Sequence, residues 1–207
     1  MYWKRKKLNY DILISPIDKP FAEFDQNEAN YYFQWYISHI KERVKYLSDY
    51  SGIVLDYSVD SLVFIWRWFL EIAEIEKTPA KGMKELRKDL KSIPKEITRA
   101  VLSEREKQFS LQTEYIIRDI AMYFGQLYVE NNRSISWGYH TDTNKDSFAN
   151  MPLLIGFEDR EFEPPFKVEF EPCFIVREIA CNIFDNEQNA EDLKNMYLNW
   201  QRMVFSV

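Results

Sequence analysis

Glycine is scarce in this chain, 5 of 207 residues. Tight turns draw on glycine for their left-handed positions. Its scarcity therefore excludes an architecture of many short strands and favours long helices. Histidine and cysteine are rarer still, two of each. Cys173 and Cys181 stand eight apart in a run with helical spacing, about 12 Å along a helix axis, beyond disulfide reach. No CxxC or Cys/His cluster suggests zinc, and the two read as reduced, buried thiols of a cytosolic protein. There is no P-loop, dinucleotide fingerprint, nucleophile elbow or HExxH, so no cofactor is expected. The longest apolar run, "SLVFIWRWFLEI", has 12 residues and contains Arg67, against about 20 for a bilayer span. The opening "MYWKRKKLNYDILISP" is broken by Asn9, Tyr10 and Asp11, too polar for a signal peptide. These absences predict a cytoplasmic protein, with no membrane partner.

What is present is aromatic and unevenly charged. Aromatic residues make up 16%, enough burial to offset chain entropy and argue against disorder. The length suits a single domain, divided here into a helical half (1–110) and a second half (111–207) holding a long helix, a small sheet and C-terminal helices. Residues 1–110 carry 19 basic and 17 acidic side chains, whereas residues 111–207 carry 8 and 16. The acidic half would repel phosphates, so nucleic acid is not an expected partner. "KRKK" at 4–7 is the dense basic run and reads as a solvated terminus.

Phe33, Tyr36, Ile37, Ile40, Val44 and Leu47 follow helical spacing from Asn27 to about Ser48, with Gly52 as a left-handed cap. Ser58 reads as the N-cap of a second helix, whose stripe Leu62, Ile65, Trp66, Phe69 and Ile72 is widened by Phe64 and Trp68. Residues 77–92 are lysine-rich and read as an exposed loop with a short helix. Pro94 opens another helix over 93–107, sparse in apolar positions. After Ser110, Ile117, Ile120, Ala121, Phe124, Leu127 and Tyr128 keep one helical phase on both sides of Gly125. The helix is thus predicted to cross that glycine, at roughly 1 kcal/mol against alanine, to about Asn131. A close neighbour would compensate, and Asn would provide a left-handed end.

Alternation then replaces helical phase. "SISWGYHT", "MPLLIGF" and "FKVEFE" read as three strands of an antiparallel meander. Helices follow at about 173–184 and from Asn189. The fold class is α+β, mostly helical, with the meander covered by helices on one face.

Chemistry-bearing residues are few. His39 lies beside the first apolar stripe and reads as a structural side chain. His140, Asp142 and Asp146 form an oxygen-rich loop able to meet a hard cation, although EF-hand spacing is absent. Asp119, mid-helix near Glu114 and Arg118, would supply an acid. His140, Asp142 and Asp119 together define the enzymatic alternative, a small hydrolase or metal-dependent enzyme. The denser signal is "EDREFEPPFKVEFE". There Glu158, Asp159, Glu161, Glu163, Glu169 and Glu171 surround Phe162 and Phe166, the composition of an acidic surface with apolar anchors for a basic protein.

Two stretches, "LDYSVDSLVFIWRWFLE" at 55–71 and "DIAMYFGQLYVENNRSISWGY" at 119–139, resemble uncharacterised bacterial domains, some of them similar to immunity partners of secreted toxins. The matching residues are Leu55, Asp56, Ser58, Ser61 and Leu62, then Asp119, Tyr123, Gly125 and Trp137. Such domains often carry an acid after the glycine, where this chain has Gln126. The resemblance implies an acid-led aromatic helix packed near a glycine-centred helix, and an immunity-type role. The expected function is a cytosolic protein-binding module for a basic partner.

Overall fold

The computed structural model describes residues 8–141 and 148–204. The first helix, α1 (Gln26–Ser51), starts at a reciprocal capping box. Asp25 accepts the Asn27 and Glu28 N–H groups at 2.8 and 2.9 Å, and the Glu28 carboxylate accepts the Asp25 N–H at 2.8 Å. The helix ends at Gly52, φ 71°, as its sequence predicts. Its buried face is Ala29, Tyr32, Tyr36, Ile40, Arg43, Val44 and Leu47. Phe33 and Ile37, assigned to that face from spacing, lie half-buried at its edge.

α2 (Ser61–Ile72) starts later than its sequence suggests: Asp60, not Ser58, is its N-cap, and the Asp60 side chain makes no capping hydrogen bond. Ser58 Oγ accepts the Ser61 N–H at 3.3 Å from a preceding turn, and Phe64 is exposed, so α2 buries one broad face rather than wrapping round. Next comes a two-stranded ribbon that the sequence did not suggest. β1 (Ile75–Lys77) pairs antiparallel with β2 (Lys107–Phe109). From its open end project α3 (Ala80–Asp89) and α4 (Lys95–Glu104), which pack on each other. None of their described side chains is buried.

α5 (Leu111–Asn131) is the central rod. Ser110 caps it, accepting the Thr113 N–H at 3.3 Å. The helix passes through Gly125 without a break, as its phase requires. A Cβ at Gly125 would overlap the Trp137 ring and come within 3.1 Å of Pro172 Cγ. That ring is pinned: its N–H donates to Gln126 Oε1 at 3.0 Å, and Tyr36 meets it edge-on at 5.5 Å. The end of α5 departs from expectation. Asn132 is extended, φ −139°, not left-handed. The Asn131 and Asn132 amides instead satisfy the last carbonyls, donating to Leu127 O and Tyr128 O at 3.0 Å.

β3 (Ser136–Gly138), β4 (Leu153–Asp159) and β5 (Phe166–Phe170) form the expected antiparallel meander, in the order β3-β4-β5. Trp137 pairs with Leu154 and Phe157 with Val168, with a bulge between Leu154 and Phe157. The inner face brings Phe157 and Phe170 onto Tyr128 of α5, at 5.3 and 5.5 Å between ring centroids. The same two rings meet Trp200 of α7 (Asp192–Gln201) at 5.5 and 4.5 Å. α6 (Pro172–Cys181) packs along α5 and closes into a short 3-10 turn, Asn182–Asp185. Val204 bridges Phe157, so the segment after α7 continues the sheet edge where β3 stops. Among the described residues no helix is long and apolar enough to cross a membrane.

Gly125→Ala gains helix propensity of about 1 kcal/mol but drives a methyl into a pinned ring. Overpacking of this kind costs about 1–3 kcal/mol, so the expected net change is a loss of up to about 2 kcal/mol. Adding Trp137→Phe, which vacates the overlap, recovers part of it. Denaturant midpoints of the single and double variants provide the check.

Candidate functional site

The acidic stretch folds as the β4–β5 hairpin. Strand alternation divides its residues between faces. Glu158 pairs with Lys167 and Asp159 with Phe166. Glu158, Lys167 and Glu169 therefore project from the outer face, while Asp159 and Phe166 project from the inner one, beyond the edge of the core. Glu161, Phe162 and Glu163 occupy the turn, and all three are exposed. Phe162 is 61% exposed and Phe166 63%. The Glu161 N–H is held by Asp159 Oδ1 at 3.0 Å, which shapes the turn. Glu169 stands apart from the other acids, its Oε2 3.1 Å from His140 Nε2.

The enzymatic trio is not brought together by the described contacts. Asp142 and Asp146 lie outside the described residues. Asp119 is fully buried, joining α5 to α1 and the N-terminal segment. Arg43 Nε and Nη2 donate to its Oδ2 at 2.9 and 2.6 Å, and the Tyr10 hydroxyl donates to the same oxygen at 2.5 Å. Arg118 Nε stands 3.9 Å from Oδ1. Arg43 also donates to Asp11 O at 2.8 Å and lies 4.6 Å above the Tyr46 ring. Burial raises the Asp119 carboxyl above the ordinary range, and the hydrogen bonds from Arg43 and Tyr10 oppose that. Such a pair is a structural junction: removing one partner strands the other charge.

The residues of the bacterial resemblance prove to be joints of the framework. Ser61 and Tyr123, one from each stretch, share a buried hydroxyl–hydroxyl hydrogen bond. The Tyr57 N–H donates to Tyr123 Oη at 3.0 Å, and Asp56 accepts the Ser58 N–H at 3.0 Å. Burial pushes the Tyr123 phenol up to about 12, keeping it neutral. Gln126, in place of the acid, accepts from Trp137 and donates to Glu130 at 2.9 Å.

Two polar residues escaped the sequence reading, and a third lies on the other side of the surface from its expected place. Arg43 lies in phase with Tyr36, Ile40 and Leu47, so its spacing alone marked it as buried. Tyr10 lies in a stretch without periodicity and gave no signal. Glu171, expected among the solvent-facing acids of the hairpin, is instead buried, because it caps α6 by accepting the Cys173 N–H at 3.1 Å and the Phe174 N–H. Its burial raises the carboxyl to about 7, against the two backbone hydrogen bonds. Cys173 and Cys181 are both free, and both are half-exposed rather than fully buried.

No protein-family model, curated protein or solved structure matches the chain.

Asp119→Asn should cost about 3–5 kcal/mol, because Arg43 is left buried without its counter-charge. Arg43→Met with Asp119→Leu should cost much less, as read from unfolding midpoints. Glu171 yields a pH dependence. Burial holds its folded carboxyl up at about 7 against an ordinary value of 4.5, so the folded state binds more protons between those values. Its contribution to stability therefore falls as pH rises through that window, by at most about 3 kcal/mol. Glu171→Gln should flatten the curve there, measured as the difference between the two proteins from pH 4 to 8.

Proposed function

We propose that this protein is a cytosolic binding module that recognises a basic protein partner through the β4–β5 hairpin, the specific case being an immunity-type inhibitor of a basic toxin. The observation that carries the reading is the exposure of Phe162 and Phe166, 61% and 63%, within a segment where Glu158, Asp159, Glu161, Glu163 and Glu169 outnumber Arg160 and Lys167. Large aromatic side chains each bury about 150–250 Å² on contact. On a free surface they are anchors awaiting a partner. The surrounding carboxylates repel acidic proteins and steer basic ones, which accelerates association. Three acids are already engaged, Glu169 of this segment with His140, Asp119 with Arg43 and Glu171 with the start of α6.

Division of labour within the hairpin follows. Reversing Glu161 and Glu163 to lysine should slow association with the partner by about tenfold or more at low salt, with little effect at high salt. Phe162→Ala with Phe166→Ala should instead raise the dissociation rate. The partner is first recovered by affinity capture with the full chain from its own cells, and the rates are then read by surface-based kinetics. Recovery of no basic protein, or association indifferent to charge reversal, would sink the proposal.

A further inference from the structure

The α3–α4 hairpin is the chemical complement of the β4–β5 hairpin, and the two occupy opposite ends of the same rod. Residues 77–107 contain ten Lys or Arg against five Asp or Glu, although the chain as a whole is −6. Lys81, Lys84 and Lys88 share one exposed face of α3. At the tip, Lys91 and Lys95 flank Ile93, 38% exposed, with Ile97 one turn on at 53%. This is an apolar point ringed by cations.

The ribbon that carries this tip is tied to the start of α5, where the Ser110 N–H donates to Glu74 O at 2.9 Å. The acidic hairpin sits at the other end, on Tyr128. α5 has 21 residues, so its length is about 30 Å. The charges of the two ends are screened from each other beyond about 8 Å at physiological salt, and among the described residues no ion pair joins them. One molecule therefore does not pair its own two poles with each other.

We infer that copies of this chain associate head to tail, the basic α3–α4 tip of one copy seated on the acidic β4–β5 hairpin of the next. Ile93 and Ile97 meet Phe162 and Phe166, while Lys88, Lys91 and Lys95 face Glu161 and Glu163. The inference rests on the reading that the β4–β5 hairpin recognises basic surfaces, and it names a second copy as one such surface. The contact is heterologous: each copy uses two different patches. It therefore builds rings or open chains rather than a two-fold dimer. Two hairpin tips bury less than the roughly 1,200 Å² of a standard interface, which makes the association weak and salt-sensitive. Self-association would compete with an external basic partner for the same hairpin.

Sedimentation velocity on the full chain tests this. At about 0.01 M salt, where charges act over about 30 Å, the sedimentation coefficient should rise with protein concentration; at about 1 M salt, where they act over about 3 Å, it should not. Two variants with neutralised exposed side chains, Lys88→Gln/Lys91→Gln/Lys95→Gln and Glu161→Gln/Glu163→Gln, should each remain monomeric at low salt. Mixed together, they retain one intact tip and one intact hairpin, and should form a discrete one-to-one dimer that grows no further. A wild-type chain that stays monomeric at low salt, variants that still assemble, or a mixture that stays monomeric would overturn the inference. The lysine variant keeps its acidic hairpin and so still binds an external basic partner, which lets partner recognition and self-association fail separately.

Discussion

The place where Trp137 lies against Gly125 fixes the relation between the two halves of the molecule. α5 supplies more of the fully buried side chains than any other element and touches α1, α2, α6 and the ribbon. The strand carrying Trp137 approaches it closely because residue 125 has no Cβ. The indole is then held by Gln126 on the same helix and by Tyr36 of α1. One missing methyl thus sets the distance from α5 to β3, and through β3 the position of the whole meander.

A second constraint acts on the other side of the rod. Arg43 and Asp119 form a buried ion pair that also gathers Tyr10 and the Asp11 carbonyl. Two charges removed from water are tolerated because Asp119 Oδ2 accepts three hydrogen bonds from two residues. The pair adds direction more than net stability. It orients α1 against α5 and draws in the segment before α1, which has little regular structure to place it.

With the core so arranged, charge is distributed along the rod. The ribbon and α3–α4 extend from the N-terminal end of α5 with an excess of lysine. The β4–β5 hairpin extends past the C-terminal end with an excess of carboxylate. Each protrusion shows apolar side chains beyond the core, Ile93 and Ile97 on one and Phe162 and Phe166 on the other. A chain whose interior is so thoroughly committed to packing leaves its chemistry at these two ends.

Helical phase across Gly125, the Gly52 stop and the strand alternation from Ser134 onward depend on neighbours a few residues apart, and spacing reveals them. The sequence by itself therefore determined the α+β class, the long central helix, the meander and the composition of the acidic hairpin. The tertiary structure decided what depends on residues far apart in the chain. It set Arg43 against Asp119, closed Ile75–Lys77 onto Lys107–Phe109, placed Trp137 over Gly125, and divided the hairpin carboxylates between two faces. Side-chain period is a local property of the backbone, whereas a buried charge or a ribbon three residues long is stable only when its distant partner arrives.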